Sequence, residues 1–260
     1  MLVVLAYAHD QSARALVDRW RAAGEDAGVL TCADLSRPGW VFRPGDPANG
    51  RAVIEGRTVS SADIRAVIVR MPAIGEAELG HVHAQDRAYA ASEMHAFLLA
   101  WLASLPCPVL NRPTPYNLGG PAWHTSEWVR RARRLGLAAR SVVWNAAFVG
   151  DGAPDLPRRL DAHSRFVDVV GGRAFLVGGR EPGPDDEALA AAALALARDA
   201  GVEVLRAYFE PAPDGPPVFL EAGLWIDITS NEIADALTER CLGFVHARPG
   251  VPVKKRVASA

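Results

Sequence analysis

The first thirty or so residues constrain the fold more than any other stretch. Leu2 to Ala6 is an apolar run of strand length, Gln11 to Gly24 carries Leu16, Val17 and Trp20 at helical spacing, and Ala27 to Thr31 is a second apolar run. Strand, helix and strand in that order require a crossover, so the two strands lie parallel with the helix packed on their sheet. The expected fold class is α/β.

The turn after the first strand, AYAHDQSA, contains no glycine. A pyrophosphate therefore cannot approach the backbone there as it does in the dinucleotide-binding fingerprint, which argues against an ordinary NAD or FAD site. The chain has 260 residues, half of them apolar, enough for a large core in one or two domains. Lys and Arg total 28 against 30 Asp and Glu, a net charge of −2 that argues against a nucleic-acid or anionic-membrane partner. Cys32, Cys107 and Cys241 are far apart and belong to no CxxC motif, so they read as core thiols of a reducing compartment. The opening LVVLAYA lacks a basic region before it and stops at His9 and Asp10, so it reads as a strand and not a signal peptide. The longest apolar candidate, Ala96 to Leu105, is about half of what a membrane helix needs. A cytoplasmic protein is expected.

Further along, RAVIEGRTVS reads as a small hairpin turning at Gly56, and Ala66 to Arg70 as the next strand. Arg70 ends that strand where ligands of open α/β sheets collect, which makes it a candidate substrate-binding residue. Residues 74 to 86 read as a polar loop in which His81 and His83, near Asp86, offer too few ligands for a closed metal site. Arg87 to Leu105 predicts a helix whose core face comprises Tyr89, Met94, Phe97, Leu98, Trp101 and Leu105. Cys107 to Leu110 predicts a buried strand ending in Asn111, and Ala122 to Leu135 a helix carrying Trp123 and Trp128. Its arginines, Arg130, Arg131, Arg133 and Arg134, read as a solvated face, since no second basic cluster or aromatic platform accompanies them.

The last third predicts an Ala/Leu-rich helix from Pro184 to Gly201 and a hairpin from Val204 to Glu221 around a Pro/Asp/Gly turn. A carboxylate at such a strand end is placed to face a pocket. Asp227, Thr229, Ser230 and Asn231 follow, either as polar ligands or as the cap of a helix from Asn231 to Leu242. Residues 249–260 read as a flexible tail.

Asn111 and Pro113 in NRPTPYNLGG, Gly136 and Leu137 before ARSVVWN, and Asn145 stand in an order that resembles ATP-grasp proteins, particularly the ribosomal-protein-modifying and peptide-macrocyclising ligases. The hairpin residues Asp214, Gly215, Pro217, Val218, Leu220 and Glu221 match the carboxy-terminal half of that pattern. The resemblance implies a Rossmann-like pre-ATP-grasp domain over residues 1–112 and a reduced ATP-grasp-like α+β domain over 113–248. It also implies ATP and Mg²⁺ as cofactors, and a C–N ligase that activates a small carboxylate or peptide as an acyl phosphate. In that reading Glu221 and Asp227 hold metal, Arg165 holds phosphates beside Glu221 as the catalytic pair, and Arg70, Asn111 and Asn231 meet substrate.

The chain departs from the pattern at informative places. Ala207 and Tyr208 stand where the family has its first metal-binding acid, and Gly223 where it has an asparagine. The segment between Asn145 and Arg165, where the family carries a lysine-bearing lid, has no lysine; lysine occurs only as Lys254 and Lys255. Two expectations follow. One is a ligase with an altered nucleotide and Mg²⁺ site; the other is a non-catalytic relative that partners a biosynthetic enzyme. A second copy of the chain is a further candidate partner.

Overall fold

A computed structural model describes residues 1–46, 49–140, 165–177, 185–210, 212 and 215–246. The lid-like segment and the tail lie outside the described residues. The opening βαβ unit forms as expected: β1 (Leu2–Leu5), α1 (Gln11–Ala22) and β2 (Ala27–Leu30). Asp10 begins α1 by accepting from the Ala13 N–H at 2.9 Å, a side-chain cap that satisfies one orphan donor of the first turn. After the short helix α2 (Cys32–Leu35) come the hairpin strands β3 (Arg51–Ile54) and β4 (Arg57–Ser60), then β5 (Ala66–Val69). Helix α3 (Arg87–Ser104) leads to the two-residue strand β6 (Val109–Leu110).

The first sheet is parallel in the order β2-β1-β5-β6. Alternation along β1 feeds two cores: Leu2 and Val4 pack with α1, while Val3 and Leu5 pack with α3 residues such as Leu98 and Trp101. Strand order reverses between β1 and β5, so a crevice opens at their carboxyl ends, and Arg70 stands there.

Helix α4 (Thr125–Arg134) precedes the second sheet, β7 (Arg165–Val170), β8 (Arg173–Val177), β9 (Val204–Glu210) and β10 (Val218–Gly223), with α5 (Asp186–Ala200) between β8 and β9. This sheet is antiparallel in the order β10-β9-β7-β8. One face is covered by α4 and α5 through Trp128, Leu189, Leu196, Phe209 and Phe219. Helix α6 (Asn231–His246) then returns to the first sheet, where Ile226, Ile228, Ile233 and Leu237 join the core built by Leu2, Val4 and Trp20. The two sheets are therefore joined by the last segment of the described chain. No described helix is long and apolar enough to cross a membrane.

Several boundaries differ from expectation, for local reasons. Tyr89 is 71% exposed and off the core face of α3, because the buried stripe runs through Ala91, Leu98, Trp101 and Leu102 instead. Residues 74 to 86 are no plain polar loop: two 3₁₀ turns, Glu76–Leu79 and Ala84–Asp86, bury Leu79 completely. Trp123 precedes α4 and is not on it. The expected solvated arginine face is partly tied down, with Arg130 and Arg131 donating to Glu127 and Arg131 to Asp199. All three cysteines are buried and free, and burial pushes the Cys32 and Cys241 thiols up to about 12.

Candidate functional site

Glu221 reaches its place through an irregularity. Phe219 pairs with Phe209, but the register shifts before Glu221, which pairs with Tyr208. Plain alternation would put Phe219 and Glu221 on one face; the bulge sends Phe219 into the core and Glu221 to the opposite face. That face is continued by register: Gly223 lies opposite Arg206, Tyr208 opposite Phe166, and Arg206 opposite Asp168.

At the centre of this face Arg206 donates from Nε and Nη2 to the two carboxylate oxygens of Asp168, both at 2.6 Å, and its guanidinium stacks 4.4 Å from the centroid of the Phe166 ring. Asp168 is fully buried. The hydrogen bond to Asp168 raises the Arg206 pKa further, so the guanidinium is a fixed positive charge; burial pushes the Asp168 carboxyl up against the pull of its partner. Neither residue was singled out from the sequence. The available signal was a lone charge of opposite sign inside each of two apolar strands, VLRAYFE and RFVDVV.

Arg165 does not join Glu221. It pairs in register with Phe209, on the α4–α5 side of the sheet, and its Nη1 donates to Asp186 at 3.1 Å. The expected catalytic pair is therefore split between opposite faces of one sheet. Asn111 is buried and committed: Nδ2 donates to the Val204 carbonyl at 2.9 Å, and Oδ1 accepts from the Glu203 and Val204 N–H groups, both at 2.8 Å. It joins the end of β6 to the start of β9 and has no group left to offer a substrate through its oxygen. Asn231 opens α6 and accepts from Arg19 at 2.8 Å, on the outer side of α1. Of the substrate-binding candidates only Arg70 lies in the crevice.

Arg70 is 6% exposed. Its Nε donates to Asp10 at 2.7 Å, its Nη1 to the Ile226 carbonyl at 3.1 Å, and its guanidinium lies 4.1 Å from the centroid of the Trp225 ring. Beside it opens a cavity of about 240 Å³, lined by Pro72, Asn117, Trp123, Trp128, Leu224 and Trp225 among others. The cavity thus lies where the strand order of the first sheet reverses and where β10 ends.

Asp227, the second expected metal ligand, is exposed and engaged locally. Its Oδ1 accepts from the Thr229 N–H at 2.9 Å and the Thr229 hydroxyl at 2.7 Å. These bonds, the backbone one first, hold its carboxyl below the usual range, with weaker pulls from Arg206 and Arg70. A carboxyl whose folded pKa is lowered contributes stability above its ordinary value, and that contribution disappears as pH falls through the folded value. Acidification through about pH 4 and below is therefore expected to loosen residues 225–229, read as a change in tryptophan fluorescence. Asp227→Asn should remove that pH step; a step unchanged in the variant would assign it elsewhere.

Among the described residues no group of three or more His, Cys, Asp or Glu side chains is arranged to hold a metal ion. Among the described residues the Glu221 face offers one uncommitted carboxylate, fewer oxygens than near-octahedral Mg²⁺ takes. Glu221 stands opposite a tyrosine, Gly223 opposite a fixed arginine, and the Asp227 oxygen serves Thr229. His81 instead shares a 2.7 Å hydrogen bond with Ser36.

No family model matches the sequence, and no curated protein matches it. Solved structures do. Macrocyclase MdnC of Microcystis aeruginosa MRC, bound with precursor peptide MdnA, superposes with a TM-score of 0.65 at 14% identity over 94% of this chain and 99% of that one. ATP-grasp ligase PsnB, complexed with minimal precursor, Mg and ADP, gives 0.62 at 15% identity over 93% and 98% of the two chains. A RiPP-associated ATP-grasp ligase of Chryseobacterium gregarium, in complex with ADP and a leader and core peptide, gives 0.62 at 12% over 93% and 96%. The chain has the fold of the ATP-grasp ligases.

Proposed function

We propose that this chain uses an ATP-grasp scaffold to bind a peptide as the partner of a biosynthetic enzyme, its nucleotide and Mg²⁺ site rebuilt around an internal cation. The observation that carries this reading is the bidentate Arg206–Asp168 pair, seated on the Glu221 face and opposite Gly223. A guanidinium that holds both oxygens of Asp168 leaves that carboxylate nothing to offer a divalent cation and occupies the place of one. The absence of lysine before the tail fits the same reading, since a compact ammonium is the usual point charge for phosphate. The peptide part is supported by the similar structures, which contain precursor, leader or core peptides.

A second reading, ATP-dependent C–N bond formation, is favoured by one observation: Glu221 stands near the end of β10, and its carboxylate has no hydrogen-bond or ion-pair partner among the described residues. A thermal titration separates the two. With Mg²⁺ and ADP or ATP at millimolar concentration, the first reading expects no Mg²⁺-dependent rise in melting temperature, because only a ligand bound to the native state raises it. A rise of several degrees that requires Mg²⁺ and is lost in Glu221→Gln would establish the ligase reading instead.

A further inference from the structure

We infer that the cavity beside Arg70 is a side-chain pocket for one aromatic residue of a peptide, followed in the peptide by a carboxylate. This rests on the peptide-binding part of the function proposed above and does not depend on nucleotide. The volume, about 240 Å³, lies below the range of about 300–1,000 Å³ typical of drug-sized ligands and suits a single large side chain. Its walls are mostly apolar, with Arg70 and Asn117 the polar exceptions: Trp123 and Trp128 meet with ring centroids 4.8 Å apart, and Trp225, half exposed, completes the aromatic lining.

The charges around these rings select the guest. Trp225 has the Arg70 guanidinium against it at 4.1 Å, and Trp123 has that of Arg131 at 3.7 Å. Each of these rings already has a guanidinium of the chain's own over it, so a cationic guest, the usual occupant of an aromatic cage, would have to compete with a partner already in place. An aromatic side chain meets no such competition and stacks against the rings or meets them edge-on. Arg70 spends Nε on Asp10 and Nη1 on the Ile226 carbonyl, and no described residue accepts from its Nη2. That donor is the complement of a carboxylate on the residue after the aromatic one. Next to the lining residue Gly119, Gly120 sits at φ +121°, a conformation that favours glycine, and a Cβ there would lie 2.8 Å from Leu224 Cδ1 and 3.2 Å from Asn111 Cβ.

The test is a calorimetric titration of the full chain with three blocked tetrapeptides, Ac-Ala-Phe-Asp-Ala-NH₂, its Phe-to-Lys analogue and its Asp-to-Asn analogue. Saturable binding of the first is expected, with the lysine analogue at least about tenfold weaker and the asparagine analogue about three- to tenfold weaker. Trp225→Ala, at a half-exposed position, should weaken the first peptide about tenfold with little change in melting temperature, and Trp123→Ala should do the same. Equal or tighter binding of the lysine peptide overturns the inference, as does an affinity unchanged in both tryptophan variants. Binding that survives both variants leaves peptide binding in force and removes only this pocket. Absence of binding by any of the three peptides at millimolar concentration overturns the pocket, while the nucleotide titration tests the rebuilt metal site independently.

Discussion

Asn111→Ala is expected to destabilise the protein by about 3–4 kcal/mol, a large fraction of the roughly 5–15 kcal/mol that holds an ordinary domain folded. The carboxamide makes three hydrogen bonds to the backbone of Glu203 and Val204, at 2.8, 2.8 and 2.9 Å, the two to Val204 buried and the one to Glu203 partly so. Truncation removes all of them and strands two N–H donors and a carbonyl where water has poor access. A stranded buried group costs about 1–3 kcal/mol against about 1 for a bond merely lost, so the orphans and not the bonds set the size of the effect. Asn111→Asp keeps both acceptor interactions but loses the donor to the Val204 carbonyl and buries a charge, so it should be no better tolerated. Urea denaturation checks both variants. A loss below about 1 kcal/mol would mean that water or a shifted backbone replaces the side chain.

That prediction could not have come from the sequence, and the reason is general to this fold. The strands were legible because the unbroken apolar runs LVVL and AVIV and the apolar spacing in QSARALVDRW are local patterns. The partners of Asn111 lie more than ninety residues away, and those of Arg70 lie sixty and 156 away. A polar residue at a strand end looks the same in a sequence whether it faces a ligand or clamps a backbone. Asn111 clamps one, and Arg70 does both jobs at once, tying Asp10 to the 226 carbonyl while bounding the cavity. The side of the sheet on which Glu221 stands was hidden for a different reason. Apolar Leu220 fits a continuous strand as well as a bulge, and only the pairing with Phe209 and Tyr208 decides between them. Arg165 was assigned to phosphate from resemblance alone, and its register with Phe209 turns it toward Asp186.

Asp168→Ala is expected to cost about 3–5 kcal/mol, because it leaves the Arg206 guanidinium partly buried without its counter-charge. The side chains of Asp168 and Arg206 are 0% and 14% exposed, so solvent cannot replace the lost carboxylate as it would at a surface pair. The same physics makes the double variant informative. With Asp168→Leu and Arg206→Met together, both desolvation penalties vanish and Phe166 keeps an apolar neighbour, so the protein should recover to within about 1–2 kcal/mol of the parent. Strong non-additivity in that cycle measures the coupling of the pair directly. It also bears on function. If the pair serves only to stabilise the sheet, its replacement by apolar residues changes nothing else. If Arg206 stands in for a metal on the Glu221 face, Arg206→Met alone, which keeps the Asp168 carboxylate on the same face as Glu221, should show weak Mg²⁺ affinity absent from the parent. Calorimetric titration of parent and Arg206→Met with Mg²⁺ reads that difference, and identical traces would confine Arg206 to a structural role.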